Sequence, residues 1–357
     1  MDKALDILKQ YYGYSSFREG QEEIIREILN ENDVLTIMPT GGGKSICYQV
    51  PAILLDGITI VISPLISLMK DQVDNINNLG IKSAYINSSL SNIEINNILD
   101  EAARNEIKIL YVAPERLESQ AFLELIASIN VSMVAIDEAH CVSQWGHDFR
   151  SSYRRISRVI SLLRNRPIVT AFTATATDEV REDIINLLEL NNPKIFISGF
   201  DRKNLKIIIE KGVNKKNYIL DYISNNRNES GIIYASTRKE VDNLYELLNS
   251  KGLQVEKYHA GLSDDYRKTA QENFIYDKCN IIIATNAFGM GIDKPNVRYV
   301  IHYNMPKNIE GYYQEIGRAG RDGEESECIM LFSPGDVQTQ KYIIETATES
   351  SVRKESE

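Results

Sequence analysis

The sequence predicts an α/β protein of two tandem domains, each a mostly parallel sheet covered by helices on both faces. Short runs rich in Val and Ile alternate with longer amphipathic segments, the pattern of strands buried on both sides and joined by crossover helices. The alternation lapses in the polar segment 199–204 and then starts again, which marks a boundary between two units. A length of 357 residues also exceeds what one hydrophobic core usually serves.

In the first half, residues 34–37, 58–63, 109–112, 131–136 and 168–173 read as strands, and 21–29 and 178–188 as helices. In the second half, 231–235, 254–258, 280–284 and 299–302 read as strands, with helices over 238–250 and 264–276. The pattern fades from Ser333, and 346–357 is polar, charged and expected to fray. These signals set the expected domains at 1–203 and 204–335, with a tail over 336–357.

Composition narrows the function classes. Hydrophobic residues make up 43% and charged residues 25%, so a packed globular protein is expected. The net charge of −10 excludes a basic coat, so any nucleic-acid contact must come from local, shaped sites. The four cysteines, Cys47, Cys141, Cys279 and Cys328, are widely spaced. No zinc cluster or disulfide framework is expected from them, and a reducing compartment is. The apolar stretch 57–69 is broken by Pro64 and is too short to cross a bilayer. With no signal-peptide core at the N-terminus, a cytoplasmic protein with no membrane partner is expected.

The chemistry begins where the apolar run 34–37 meets Met38-Pro39-Thr40-Gly41-Gly42-Gly43-Lys44-Ser45. Glycines let backbone N–H groups close around phosphate oxygens. Lys44 can place its charge among the outer phosphates and Ser45 can ligate Mg²⁺. A second element is the strand 131–136, which ends in Asp137-Glu138-Ala139-His140. An acidic turn can simply cap a helix. Behind a phosphate loop, and expected beside its strand, Asp137 would hold magnesium and Glu138 would deprotonate the attacking water. The third is Gln314-Glu315-Ile316-Gly317-Arg318-Ala319-Gly320-Arg321. Arg318 and Arg321, three apart, can point at one target, and guanidinium groups suit a phosphoryl group in transfer.

Two further segments are weaker on chemistry alone. In Gly13-Tyr14-Ser15-Ser16-Phe17-Arg18-Glu19-Gly20-Gln21, the Gln21 amide can read an adenine edge while Tyr14 and Arg18 stack on it. A core aromatic beside a surface arginine would explain the segment equally well. The loop Cys141-Val142-Ser143-Gln144-Trp145-Gly146-His147-Asp148-Phe149-Arg150 holds the only tryptophan, which is either a stacking platform for unpaired bases or a core residue.

Together, and in this order, these blocks resemble superfamily 2 helicases and, more closely, the RecQ family of DNA helicases. Also carrying the likeness are Ser63-Pro64-Leu65-Ile66-Ser67-Leu68-Met69-Lys70-Asp71-Gln72, Ala113-Pro114-Glu115-Arg116-Leu117, Phe172-Thr173-Ala174-Thr175-Ala176-Thr177 and Ala287-Phe288-Gly289-Met290-Gly291-Ile292-Asp293. The acidic box with its aromatic loop is the most specific part. Met38 stands where a strict phosphate loop has glycine, a replacement this family accepts.

The resemblance implies two RecA-like lobes with ATP between them. It implies that Tyr14, Arg18 and Gln21 recognise adenine, and that Thr40, Gly41, Gly42, Gly43, Lys44 and Ser45 hold phosphates. Ser45 and Asp137 would hold Mg²⁺. Asp293 would lie near the ribose and triphosphate, and Arg321 would be the arginine finger beside Arg318. DNA contact and coupling would fall to Ser63, Pro64, Arg116, His140, Trp145, Phe149, Arg150, Thr173, Thr175, Ser236, Arg238 and His259. The implied partners are single-stranded and tailed duplex DNA, met by a monomer moving 3′ to 5′. Family members continue into a four-cysteine zinc region and a winged helix, which this sequence lacks. No zinc is therefore expected in this chain, and unwinding is expected to be weak. An RNA-dependent ATPase of the same superfamily and an ATP-gated nucleic-acid binding module are the alternatives.

Overall fold

Strands buried on both faces must send apolar side chains to alternate sides, and the first half of the chain does so repeatedly. In the computed structural model, which describes residues 1–64, 66–144, 149–199, 201–288, 294–338 and 341, Val34 and Leu35 enter two different hydrophobic clusters. The chain divides into two compact units, 1–200 and 201–357.

The first unit carries β1 (Val34–Ile37), β2 (Ile58–Ile62), β3 (Ser83–Ile86), β4 (Ile109–Val112), β5 (Val131–Ile136), β6 (Ile168–Thr173) and β7 (Lys194–Ile197). They form one parallel sheet in the order β3-β4-β2-β5-β6-β1-β7. Its helices are α1 (Asp2–Ile7), α2 (Gln21–Leu29), α3 (Lys44–Leu54), α4 (Ile66–Asn78), α5 (Asn92–Ala103), α6 (Gln120–Ser128), α7 (Ile156–Ser161) and α8 (Asp178–Leu187). One face packs Leu35, Ile60 and Val134 with Phe122 of α6 and Ile184 of α8. The other packs Val34, Val61 and Met133 with Ile24 of α2, Tyr48 of α3 and Met69 of α4.

The second unit repeats the plan with β8 (Leu205–Lys211), β9 (Ser230–Tyr234), β10 (Val255–Tyr258), β11 (Ile281–Ala284), β12 (Val297–His302) and β13 (Ser326–Phe332). These are parallel in the order β10-β11-β9-β12-β13-β8. Its helices are α9 (Lys215–Asn225), α10 (Arg238–Ser250), α11 (Asp264–Ile275) and α12 (Ile309–Ile316). The fold class expected from the alternation is therefore the one observed.

Two details differ from expectation. β5 does not lie beside β1, because β6 pairs with both and separates them. Four strands, β3, β7, β8 and β13, were not read from the sequence. β7 and β8 close the edges of their sheets and leave Ile195, Ile197, Ile207 and Ile209 exposed. An edge strand is covered on fewer sides, so its composition is less constrained than that of a central one.

Candidate functional site

From the end of β1 the chain turns through 38–43 into α3. Gly41 and Gly43 stand at φ +81° and +83°, a region that costs any residue with a Cβ. A Cβ on Gly42 would lie 2.6 Å from Cγ of Met38, and one on Gly43 2.3 Å from Nε2 of Gln21. A side chain at 41 or 43 would strain the backbone, and one at 42 or 43 would displace Met38 or Gln21. α3 begins on Gly43 with no side-chain cap. By contrast, Ser91, Ser119, Thr177, Asn214, Thr237, Ser263 and Asn308 cap α5, α6 and α8 to α12. The start of α3 thus keeps the positive end of its dipole available to an anion. Lys44 Nζ donates to the carbonyl of Met38 at 3.0 Å, spanning the loop. Thr40 and Ser45 are half-buried on either side of the glycines.

Of the three residues expected to read adenine, two are tied to this loop. Gln21, buried, donates from Nε2 to the carbonyls of Gly43 at 3.1 Å and Gly42 at 3.4 Å, and its Oε1 accepts from the Arg18 N–H at 2.8 Å. The Arg18 guanidinium donates to the carbonyl of Gly41 at 2.7 Å. Tyr14 is exposed. Gln21 thus braces the phosphate loop, a contact that no local pattern in the sequence signals.

At the end of β5, the Asp137 N–H donates to Ile62 at 2.8 Å. The Glu138 N–H donates to Asp137 Oδ1 at 3.0 Å. Glu138 itself stands at φ +49°, strained for a residue with a side chain. Burial, followed by the charge of Glu138, pushes the Asp137 carboxyl above the ordinary carboxylate range, while Lys44 pulls it down. Two adjacent carboxylates, that of Asp137 buried, with one lysine nearby are short of positive charge, and a hard divalent cation would supply it. Ser45 and Asp137 are the side chains that fit such an ion. Among the described residues no group of three or more His, Cys, Asp or Glu could hold a metal. The remaining positions would fall to water and phosphate oxygens, which magnesium favours.

His140 links this box to β6. Its Nδ1 lies 2.9 Å from Thr173 Oγ1 and 3.3 Å from the Glu138 carboxylate. Thr173 donates its one hydroxyl proton to the carbonyl of Thr175 at 3.0 Å, so Nδ1 carries the imidazole proton. Ser63, Pro64, Thr173 and Thr175 are buried and Arg116 is half-buried. Arg150 donates to the carbonyl of Pro64 at 3.3 Å, and Arg154 lies 5.2 Å over the half-exposed ring of Phe149. Trp145 and Asp293 lie outside the described residues.

In the second unit, Arg318 is buried at the end of α12 and Arg321 is half-buried in the following turn. The Tyr234 hydroxyl hydrogen-bonds Arg318. Gly320 stands at φ +56°, and a Cβ there would lie 2.4 Å from Asn204 Nδ2. Its carbonyl accepts from Arg202 and Asn204, both at 2.8 Å. His302 Nε2 lies 2.7 Å from the Glu315 carboxylate. Arg202, Asn204 and His302 fix the arginine turn, and none was singled out from the sequence. Ser236 is half-buried and Arg238 exposed. His259 is buried with Nδ1 accepting from the Gly261 N–H at 3.2 Å and Nε2 3.4 Å from Asp242.

The profile described as DEAD/DEAH box helicase matches residues 18–184, and that described as Helicase conserved C-terminal domain matches 214–323. The ATP-dependent DNA helicase RecQ of Bacillus subtilis (strain 168) is 50% identical over 356 residues, 99% of this chain and 60% of the relative. The probable ATP-dependent DNA helicase RecS of the same organism is 41% identical over 97% of this chain and 70% of the relative. The chain therefore spans about three-fifths of the length of the first of these relatives. Among solved structures, S. cerevisiae Dbp5 bound to RNA and ADP BeF3 superposes with a TM-score of 0.73 at 20% identity, covering 96% of this chain and 90% of that one. That likeness shows the fold, two tandem RecA-like domains. With its ordered motifs, its glycine cradle and the RecQ and RecS sequence matches, this chain belongs to the RecQ family of DNA helicases.

Proposed function

We propose that the chain is an ATP-driven, DNA-stimulated motor that moves 3′ to 5′ on single-stranded DNA and opens duplexes during repair and recombination. Residues 1–203 act as the ATP-binding lobe and 204–335 as the lobe that supplies the arginines. The protein works as a monomer in the cytoplasm, and residues 1–357 alone unwind weakly. The observation that carries this reading is the strained glycine cradle leading into Lys44, whose charge acts on the buried Asp137 carboxyl beside Glu138.

In the reaction, backbone N–H groups of 41–43 and the start of α3 bind the phosphates, and Lys44 leaves the Met38 carbonyl for phosphate oxygens. Magnesium held through Ser45 and Asp137 supplies charge neutralisation on those oxygens when bound. Glu138 orients the attacking water and accepts its proton. Arg321 and Arg318 stabilise charge on the transferring phosphoryl group. Single-stranded DNA is sensed through Arg116, Phe149, Arg150, Ser236 and Arg238, with Trp145 and His140 coupling that contact to Glu138.

The test is ATP turnover measured with no nucleic acid, with single-stranded DNA and with RNA, beside unwinding of 3′- and 5′-tailed duplexes. Stimulation by DNA, with slow opening of the 3′-tailed duplex only, is expected. Equal stimulation by RNA, or opening of the 5′-tailed duplex, overturns the reading.

A further inference from the structure

Glu138 is the strained point of the acidic box, and the peptide that precedes it is held at both ends. The N–H of Glu138 donates to Asp137 Oδ1 at 3.0 Å. The carbonyl of Asp137, the other end of the same peptide group, accepts from the Tyr153 hydroxyl at 2.8 Å. The carbonyl of Glu138 in turn accepts from the Cys141 N–H at 2.9 Å. A residue at φ +49° relaxes toward negative φ unless its neighbours fix it. Rotating this peptide would break the Tyr153 bond and swing the Glu138 carboxylate.

Tyr153 is suited to the task. It is fully buried, so its position is set by packing against Ile156 and the strand core, not by solvent. It also belongs to the short turn Ser151–Arg155, which follows directly on the aromatic loop. The same turn is anchored by the Tyr153 N–H to the carbonyl of Arg150 at 3.0 Å, and by the Arg150 N–H to the carbonyl of Cys141 at 2.9 Å. Arg150 then reaches the carbonyl of Pro64 at 3.3 Å.

We infer that Tyr153 is a positioning residue for hydrolysis: its hydroxyl pins the Asp137–Glu138 peptide and so aims the Glu138 carboxylate at the attacking water. The inference rests on the reading of Glu138 as general base. It assigns to a core tyrosine, 16 residues from the acidic box, a part in the chemistry that packing alone does not require.

The experiment compares wild type, Tyr153→Phe and Glu138→Gln in DNA-stimulated ATP hydrolysis. Each kcat is normalised to sites counted by titration with a fluorescent ADP analogue. Phenylalanine keeps the ring and removes only the pin. Tyr153→Phe should lower kcat about 10- to 100-fold, the scale of a sub-ångström to 1 Å misplacement, with KM for ATP and ADP affinity within twofold of wild type. Unchanged kcat per binding site overturns the inference. So does a parallel loss of kcat and ADP binding, which marks a purely structural tyrosine. Wild-type turnover by Glu138→Gln sinks the underlying reading instead, and so separates the two failures.

Discussion

Replacing Gly43 with alanine is the sharpest perturbation of the phosphate cradle. At φ +83° an alanine carries a backbone penalty of about 1–2 kcal/mol. Its Cβ would also fall 2.3 Å from Gln21 Nε2. The amide must then leave the Gly43 carbonyl, which it meets at 3.1 Å, at a cost of about 1 kcal/mol. The free loop can escape both penalties by changing shape, but a bound triphosphate restores them. The sum, about 2–3 kcal/mol, corresponds to roughly 30- to 150-fold weaker nucleotide binding. Equilibrium titration with a fluorescent ADP analogue measures it. Gly80→Ala is the control, because Gly80 shares φ +83° and a Cβ there meets nothing within 4 Å. It should lower stability by the same backbone penalty of about 1–2 kcal/mol and leave nucleotide affinity alone. Gly43→Ala binding within threefold of wild type, or an equal loss in Gly80→Ala, refutes the reasoning.

Three other outcomes follow from the same account. Arg321→Ala should cut DNA-stimulated ATP turnover by about 10³-fold while ADP affinity stays nearly constant; unchanged turnover ends the arginine-finger proposal. Trp145→Ala should keep basal ATP turnover and lose its stimulation by single-stranded DNA, whereas a protein that fails to fold speaks for a core tryptophan. Glu315→Ala removes the acceptor 2.7 Å from the buried His302 Nε2, and urea unfolding should show a loss of about 1–3 kcal/mol. Glu315→Gln, whose amide oxygen still accepts, should lose less.

The parts of the fold legible in the sequence were those whose neighbours leave little choice. Central strands such as Ile58–Ile62 and Val131–Ile136 are apolar on both faces because sheet and helices enclose them. Lys194–Ile197 and Leu205–Lys211 also carry isoleucines, but they lie at edges, where charged residues stand beside the apolar run. The glycine loop and the acidic box were legible because each is a local pattern with its chemistry in contiguous residues. What joins them is not local. Gln21 reaches the loop across 22 residues, Tyr153 reaches Asp137 across 16, and Arg202 reaches Gly320 across 118. Polar side chains of that kind look like ordinary surface until the fold brings a carbonyl to them. The segment 199–204 shows this well. Its polarity marks a boundary, yet Arg202 and Asn204 within it clamp the turn that carries Arg321.

The central step is Glu138 acting as a base on a triphosphate held by the Gly43 loop. Single-turnover hydrolysis of prebound ATP, with and without single-stranded DNA, tests this directly in wild type and Glu138→Gln. The expected result is DNA-accelerated hydrolysis in wild type, and in Glu138→Gln retained ATP with hydrolysis slowed by at least about 10²-fold. Hydrolysis by Glu138→Gln at the wild-type rate would contradict it.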